Sequence, residues 1–243
     1  MMNNDSQKPH ALVVGASSGI GYAMAQRLSE THRVTALARR TDRLASLVEM
    51  GVSAVYCDVA DLDSIAAIVE QSVATNGKVS ALIYCAGLQM IRPMRTVKVT
   101  DIRQVIDVNL SAALVFGQLM ASQRISEAQA VYCAVSSISA QRPEPAIIPY
   151  AVAKAGIEAM IKGLARELAP RRAIGVAPGW LDTEMTQSFK QIYNDAFKEQ
   201  LMKKSPTGIA TVDAVADLIE FLISPKAAFI TGQIITIDGG ASL

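Results

Sequence analysis

The stretch Ala11-Leu12-Val13-Val14-Gly15-Ala16-Ser17-Ser18-Gly19-Ile20-Gly21 decides the fold of this chain. Its four leading apolar residues predict a buried strand, and the spacing of apolar residues over 20–30 predicts a helix. Gly15 allows a tight turn, Gly19 lets the backbone approach a pyrophosphate, and Gly21 lets helix and strand pack closely. The stretch therefore predicts a dinucleotide cradle with phosphate at the helix N-terminus, although an ordinary glycine turn is the alternative.

Short apolar runs alternate with longer amphipathic stretches along the rest of the chain. Further strands are predicted over residues 34–38, 54–57, 81–84, 130–135, 174–177 and 233–237, and helices over residues 41–50, 64–75, 101–122, 150–168 and 211–223. Thr100 is the predicted N-cap of the helix over 101–122. Near-continuously apolar strands between helices indicate an α/β fold, a parallel sheet covered on both faces. We expect one domain over residues 1–243, with 183–205 as a helical flap over the ligand site.

Composition argues against several classes of function. The chain has 243 residues, 51% of them hydrophobic, and a formal net charge of +1. That length suits one large domain, and a charge near zero argues against bulk nucleic-acid binding. No apolar run approaches the ~18 residues of a membrane span, and the polar start Met1–Lys8 is unlike a signal peptide. A cytoplasmic enzyme is expected.

Cysteines and histidines give no sign of a metal or redox centre. Cys57, Cys85 and Cys133 are odd in number and widely spaced, so we interpret them as reduced, buried residues in strands. His10 and His32 fall near predicted strand starts without clustered partners, so no metal site is expected.

Tyr150 and Lys154 form a pair that can carry acid–base chemistry. A residue and its i+4 neighbour lie on one helix face, so the phenol and the ammonium can share a pocket. A nearby cation favours the phenolate and is expected to lower the tyrosine pKa from about 10, as a general acid/base near neutral pH requires. Such pairs also arise by chance on helix surfaces, so this one gains its weight from the dinucleotide cradle.

The end of the second strand indicates which cofactor is bound. An acidic residue there would hold the ribose 2′-hydroxyl of NAD, but this chain has Arg39 and Arg40, which suit a 2′-phosphate. Ser18 is a further hydroxyl donor. We predict NADP(H); the alternative is that both arginines are solvated charges at a helix start.

Taken together, these motifs resemble the short-chain dehydrogenase/reductase family across nearly the whole chain. The resemblance implies a single Rossmann-like, doubly wound domain with a seven-stranded parallel sheet. The matching pieces, in family order, are residues 15–21, Asp58-Val59, Ala86-Gly87, Asn109, Ser137, Tyr150 with Lys154, Pro178-Gly179 and Asp238-Gly239-Gly240.

The resemblance also implies catalytic roles. Tyr150 would protonate a ketone oxygen, or deprotonate an alcohol in reverse. Ser137, rather than its neighbour Ser136, would hydrogen-bond the same oxygen. Lys154 would bind the nicotinamide ribose and lower the tyrosine pKa, and Asn109 would bend its helix and hold a water in a proton relay.

Cofactor contacts are implied at further positions. Asp58 and Val59 would contact adenine, and Thr183 the carboxamide. The complete expected set is Gly15, Ser17, Ser18, Gly19, Ile20, Gly21, Arg39, Arg40, Asp58, Val59, Ala86, Gly87, Tyr150, Lys154, Pro178, Gly179 and Thr183. Each residue taken singly also has a structural explanation, such as loop capping by Asp58.

Two departures from the family pattern stand out. Cys85 replaces the Asn that usually follows strand four, which removes an amide near the cofactor and puts the local backbone geometry in question. The stretch 171–176 is about two residues shorter than usual and lacks an expected Asn. We therefore expect a short or irregular sixth strand.

The closest resemblance within the family is to the 3-oxoacyl-[acyl-carrier-protein] reductase type. An acidic carrier would need a basic patch, for which Arg124, Arg171, Arg172, Lys203 and Lys204 are candidates; an ordinary solvated surface is equally open. The apolar segment 142–149 should line the substrate site and suits a lipophilic or small uncharged ketone.

The leading hypothesis is therefore an NADPH-dependent carbonyl reductase. The alternatives are an alcohol, polyol or sugar dehydrogenase, or an NADP(H)-sensing protein without turnover. The family also implies a homo-oligomer, usually a tetramer. Its interface would use helices 101–122 and 150–168, whose apolar residues Leu114, Val115, Met160 and Ile161 could instead face the sheet.

Overall fold

The computed structural model describes residues 8–243, so the polar start of the chain lies almost entirely outside the described residues. The described strands are all parallel and form one sheet in the order β3-β2-β1-β4-β5-β6-β7. They are β1 His10–Val14, β2 Arg33–Ala38, β3 Ser53–Tyr56, β4 Val79–Tyr84, β5 Ser126–Val135, β6 Arg172–Pro178 and β7 Ile234–Ile237. The strand order reverses beside β1, which places a crevice between the carboxyl ends of β1 and β4.

Helices cover both faces of the sheet. They are α1 Gly19–Leu28, α2 Ala45–Glu49, α3 Ile65–Asn76, α4 Val99–Ile106, α5 Ala112–Met120, α6 Ile148–Glu167, α7 Glu184–Gln187, α8 Asp195–Lys204 and α9 Val212–Ile223. A wider π-helical turn, Asp107–Ser111, joins α4 to α5. Within residues 8–243, no helix combines the length and apolar character needed to cross a bilayer.

The core consists of two hydrophobic layers, one on each side of the sheet. Along β1, Ala11 and Val13 pack into the layer under α1 and α9, whereas Leu12 and Val14 pack into the layer under α3, α5 and α6. Because successive side chains of a strand point to opposite faces, a strand covered on both sides must be apolar throughout. The predicted fold class, a doubly wound α/β sheet, is confirmed.

The sixth strand corrects the expectation of a short or irregular element. β6 spans Arg172–Pro178 and pairs without a register shift with both β5 and β7. Arg172 looks like a polar interruption in the sequence, but its buried guanidinium donates to the carbonyls of Leu222, Ser224 and Ile230, at and beyond the end of α9. The charge is thereby accommodated at the first residue of a regular strand.

The start of α4 corrects a second expectation. Thr100 lies inside the helix, and Lys98 is the N-cap residue. Asp101 accepts a hydrogen bond from the Lys98 backbone N–H at 3.0 Å, so a carboxylate satisfies the donor just outside the helix. The predicted helix over 41–50 is likewise an α-helix only from Ala45, after a 3₁₀ turn at Thr41–Leu44.

Two of the three cysteines lie just outside the strands expected to contain them. Cys133 is in β5, whereas Cys57 and Cys85 follow the last residues of β3 and β4. Cys57 and Cys133 are buried, and Cys85 is half-buried. In the described part of the chain all three are free thiols, and burial raises their pKa values above that of an ordinary cysteine.

Candidate active site

A cavity of about 450 Å³ lies at the carboxyl ends of the strands, at the switch point of the sheet. Every residue predicted for cofactor binding lines it, as do three of the four predicted catalytic residues, Ser137, Tyr150 and Lys154. Asn109 alone is set back from the wall. Segments far apart in the sequence thus converge on one cavity.

The glycine turn between β1 and α1 is shaped for a closely approaching ligand. Gly15 has φ +86°, and a Cβ there would lie 2.6 Å from the backbone nitrogen of Ala86. A Cβ on Gly21 would clash with the carbonyl of Gly15. Ser18 caps α1 without a side-chain bond to it, and the helix begins at Gly19, facing the cavity. These features fit the pyrophosphate of a dinucleotide.

The backbone at Cys85, where the family pattern has an Asn, continues the pairing of β4 with β1. Its N–H donates to the carbonyl of Val14 at 2.9 Å, so the chain leaves β4 still paired with β1. Ala86 and Gly87 follow on the cavity wall. The main chain at Cys85 is therefore held in place by the sheet, without a side-chain amide at this position.

The predicted catalytic pair, Tyr150 and Lys154, lies near the start of α6, which begins at Ile148 with Pro149 in its first turn. Tyr150 and Lys154 are 9% and 3% exposed. The Lys154 Nζ is 5.6 Å from the centroid of the Tyr150 ring and donates to the carbonyl of Val135 at 2.8 Å. Ser137 follows β5 two residues later and lines the same cavity. Phenol, ammonium and hydroxyl are therefore grouped where a carbonyl could bind.

The tyrosine pKa departs from the sequence-based expectation in direction. Burial raises the pKa of Tyr150 to about 12, and a hydrogen bond with Ser137 only partly offsets this. Burial also lowers the pKa of Lys154 to about 8. Desolvation thus raises the pKa of Tyr150, while the Lys154 ammonium donates to a main-chain carbonyl; a lowering of the tyrosine pKa by Lys154 stays a prediction. With a pKa of about 12, Tyr150 is protonated at neutral pH, which is the state that the predicted role as proton donor requires.

Asn109 clamps two segments together behind the site. It is buried in the π-helical turn, and its amide group donates to the carbonyls of Leu88 and Val105, both at 2.8 Å. Its Oδ1 accepts from the Leu88 N–H at 3.2 Å. The bend implied for this helix coincides with that turn. Both amide protons of Asn109 are donated to these carbonyls and would not bind a water in this arrangement. A proton relay through a water at Asn109 stays a prediction.

The two arginines after β2 differ in their surroundings. Arg39 is exposed, whereas Arg40 donates to the Ser17 hydroxyl and to both carboxylate oxygens of Glu184. Asp58, which is expected to contact adenine, accepts from the Ala60 N–H at 3.1 Å and so also caps its own loop. Arg40 thus faces the expected 2′-phosphate position with an acidic partner already attached.

An aromatic group that was not predicted from the sequence lines the same cavity as the predicted catalytic residues. The ring of Tyr193 packs 5.0 Å from that of Phe197 and 6.1 Å from that of Trp180, and all three line the cavity. Gln89 donates to the Tyr193 hydroxyl at 2.8 Å and joins the segment after β4 to this group. The recurrence of aromatic residues at Phe189, Tyr193 and Phe197 is a sequence pattern that could have revealed it, although Phe189 and Tyr193 lie between α7 and α8 and not in a helix.

Sequence analysis also missed Glu158, one turn beyond Lys154 on α6. Its buried carboxylate accepts from the Ser136 hydroxyl at 3.3 Å and from the Gln141 amide at 3.1 and 3.4 Å. Ser136 and Gln141 bracket the loop that carries Ser137. Glu158 therefore ties that loop to the helix that carries Tyr150.

Two of the five residues considered for a basic patch are not available for one. Arg171 and Arg172 are each 9% exposed; Arg171 donates to the Ser126 hydroxyl, and Arg172 to the carbonyls described above. Arg124, Lys203 and Lys204 are exposed, and Lys204 lines the cavity.

Comparison with known proteins gives related reductases and dehydrogenases. A family model described as Enoyl-(Acyl carrier protein) reductase matches residues 15–242. The chain is 32% identical to a 3-oxoacyl-[acyl-carrier-protein] reductase of Staphylococcus aureus, over 95% of this chain and 96% of that protein. It is 27% identical to a gluconate 5-dehydrogenase of Gluconobacter oxydans, over 96% and 94% of the two chains.

Solved structures give the same fold. An actinorhodin polyketide ketoreductase with NADPH superimposes with a TM-score of 0.88 at 27% identity, covering 97% of this chain and 98% of that one. A 4-hydroxyisoleucine dehydrogenase complexed with NADH superimposes with a TM-score of 0.87 at 26% identity, covering 97% and 99%. The similar structures thus include both forms of the reduced cofactor.

Proposed function

The chain belongs to the short-chain dehydrogenase/reductase family, and we propose that it is an NADPH-dependent reductase that converts a ketone into an alcohol. The observation that carries the proposal is the group of half-buried Ser137 and buried Tyr150 and Lys154, in the cavity that also holds the glycine turn. A bound nicotinamide would supply the hydride. The remaining tasks, orientation and proton supply, fall to residues of this chain.

Tyr150 would deliver the proton. As the carbonyl carbon gains hydride, the oxygen takes the phenolic proton of Tyr150, and the alcohol and a tyrosinate result. The Ser137 hydroxyl would hold the same oxygen. Lys154 gives one N–H to Val135 and keeps two for the ribose hydroxyls of the cofactor. A tyrosine pKa of about 12 favours reduction, since oxidation of an alcohol would need the phenolate.

The cavity wall supports an apolar ketone, for which we propose a 3-oxoacyl thioester or a similar compound. Ile138, Ile147, Trp180 and Phe197 line the substrate end, and the Staphylococcus aureus relative is named for a 3-oxoacyl substrate on a carrier protein. For a carrier-bound acyl chain, exposed Lys204 at the cavity supplies a positive charge. The flap over residues 183–205 would close over this substrate.

We assign NADP(H) as the cofactor because Arg39 and Arg40 line the cavity after β2. The ketoreductase with NADPH supports the assignment by analogy, while the dehydrogenase with NADH keeps NAD(H) as the alternative. Direct titration of both reduced cofactors decides between them. Tighter NADPH binding is expected, and tighter NADH binding would contradict the assignment.

A second candidate is an alcohol, polyol or sugar dehydrogenase, favoured by the similarity to gluconate 5-dehydrogenase. Polar residues near the catalytic group, Gln89 and Glu144, would then bind substrate hydroxyls. A panel of 3-oxoacyl thioesters, simple ketones and polyols separates the two candidates. Cofactor binding without turnover of any compound would instead favour an NADP(H)-sensing protein.

Assembly, location and domain count complete the proposal. Exposed apolar side chains on the helices at the expected interface, Leu114 at 48% and Val152 at 56%, support a homo-oligomer, for which we propose a tetramer. Met160 and Ile161 instead pack in the core. We propose a single-domain enzyme in the cytoplasm. Light scattering tests the assembly, and a mass of one chain would refute it.

A further inference from the structure

Glu184 links the expected 2′-phosphate site to the base of the flap. It is the first residue of α7, and its carboxylate lies 2.6 Å and 2.9 Å from the two terminal nitrogens of Arg40. The same carboxylate accepts from Arg43 at 2.9 Å. Arg40 also donates to Ser17 in the glycine turn at 3.2 Å. One acidic side chain of the flap thus engages two arginines beside the cavity.

These bonds occupy much of the hydrogen-bonding capacity of Arg40. A guanidinium has five N–H donors, of which Glu184 takes two and Ser17 takes one. A phosphate in bidentate contact with Arg40 would have to displace the carboxylate or lie beside it. In the second arrangement two anions share one site, which is unfavourable.

We propose that Glu184 is a specificity-determining residue that competes with the 2′-phosphate of the cofactor for Arg40 and Arg43. The inference rests on the proposed function insofar as it places a 2′-phosphate at Arg40. Glu184 therefore weakens binding of NADPH and leaves binding of NADH, which lacks this phosphate, unaffected. A phosphorylated cofactor also releases the start of the flap from the arginines.

A 2′-phosphate can displace Glu184 because the ion pairs of Glu184 with Arg40 and Arg43 are half exposed. The side chains of Arg40, Arg43 and Glu184 are 41%, 47% and 39% exposed, and exposed pairs contribute little to stability. A phosphate carries more charge than a carboxylate and offers three acceptor oxygens. The contact with Glu184 is therefore weak enough to open on cofactor binding.

Release of Glu184 from the arginines would change the position of residues that line the cavity. Thr183 precedes it, Met185 and Thr186 follow it, and all three line the cavity wall. Thr183 lies against the glycine turn, because a Cβ on Gly19 would be 3.6 Å from its methyl group. Displacement of Glu184 thus loosens the segment that faces the nicotinamide and the substrate.

The test is a fluorescence titration of NADPH and NADH against wild type, Glu184→Gln and Asp182→Asn. Asp182 is a matched control: it is an acidic residue of the same segment, but it pairs with Lys198 and not with the arginines. For Glu184→Gln we expect the Kd for NADPH to fall about fivefold and the Kd for NADH to stay within about twofold. Asp182→Asn should change neither. In an Arg40→Gln, Arg43→Gln background, Glu184→Gln should improve NADPH binding by less than about twofold.

Hydrogen exchange gives a readout independent of affinity. In wild type, amides of residues 183–189 should exchange faster with NADP⁺ bound than with NAD⁺ bound, and in Glu184→Gln this difference should vanish. Unchanged NADPH affinity in Glu184→Gln, with wild type preferring NADPH, would overturn the competition and leave the proposed cofactor standing. A wild-type preference for NADH with no effect of Glu184→Gln would overturn both. Equal weakening of both cofactors would overturn the competition, since Glu184 would then only organise the flap.

Discussion

The ammonium of Lys154 lies 5.6 Å from the centre of the Tyr150 ring, but its hydrogen bond goes to the main-chain carbonyl of Val135. The cation is thus beside the phenol without pairing with its oxygen. Burial raises the pKa of Tyr150 to about 12 and lowers that of Lys154 to about 8. Of the two groups, Lys154 titrates closer to neutral pH.

We therefore predict that kcat/KM for ketone reduction falls as the pH rises through about 8. Below that pH Lys154 is protonated and can hold the ribose hydroxyls, and Tyr150 keeps its proton throughout this range. The measurement is a pH profile of kcat/KM at saturating NADPH. A profile that rises across pH 7 to 9 would contradict the assignment of Tyr150 as the acid.

His10 should make stability depend on pH. Its Nδ1–H donates to the Gly77 carbonyl at 2.7 Å, its Nε2 accepts from the Thr35 hydroxyl at 2.9 Å, and burial lowers its pKa from 6.5 to about 4. Below pH 6.5 His10 binds a proton in the unfolded chain, whereas in the folded chain it stays neutral until the pH approaches 4. The free energy of unfolding should therefore fall as the pH drops from about 6.5 to 4, by roughly 3 kcal/mol in total.

Urea unfolding of wild type and His10→Gln at a series of pH values checks this prediction. Glutamine does not titrate, so the variant should show a shallower decline over the same range. Equal slopes in the two proteins would mean that other groups cause the acid sensitivity.

Much of the site is encoded in short-range pattern. The glycine turn, the Tyr150–Lys154 spacing and the apolar strands are local features, and each places its residues where the structure has them. The pair of Arg40 and Glu184 is separated by 144 residues and has no local signature. It exists only because the sheet brings the end of β2 near the start of α7.

Burial explains the other differences between the sequence-based predictions and the structure. A sequence shows that Lys154 can lie near Tyr150, but it does not show that both are desolvated, and desolvation decides the direction of each pKa. Burial also decides the role of Arg172. In the sequence it is interpreted as a surface charge that interrupts a strand, whereas in the structure it donates to carbonyls near the end of α9 and begins β6.

Two glycines offer a matched pair of substitutions. Gly15→Ala places a Cβ against Ala86 at a residue with φ +86°, so we expect NADPH binding to weaken by at least about 100-fold, or folding to fail. Gly163 lies within α6 with no atom near its would-be Cβ. Gly163→Ala should instead stabilise the protein by about 0.5–1 kcal/mol.

Thermal unfolding and NADPH titration of both variants separate these effects. Normal cofactor binding by folded Gly15→Ala would show that the turn can accept a Cβ against Ala86 and still bind the cofactor.

Glu158 should act as a positioning residue for Ser137. Glu158→Ala removes the acceptor of the Gln141 amide and one of two acceptors near the Ser136 hydroxyl, so the loop between them loses part of its anchor on α6 and keeps the bond from Ser136 to the Lys154 carbonyl. We expect kcat to fall about tenfold with a smaller change in KM, since the loop orients the reacting oxygen. Glu158→Gln keeps an acceptor oxygen and should recover part of kcat.

Glu167→Ala, at the exposed end of the same helix, is the control and should keep wild-type kcat. If Glu158→Ala and Glu158→Gln lose kcat equally, the carboxylate does more than anchor the loop.

The most direct measurement is the rate of NADPH oxidation with a short 3-oxoacyl thioester, monitored by absorbance, for wild type and Tyr150→Phe. An NADPH titration of both proteins accompanies it. Phenylalanine keeps the ring and removes only the proton donor. The account predicts turnover by wild type, a loss of at least about 1,000-fold in Tyr150→Phe, and NADPH affinity unchanged within about threefold. Turnover by Tyr150→Phe at the wild-type rate would contradict the assignment of Tyr150 as the proton donor.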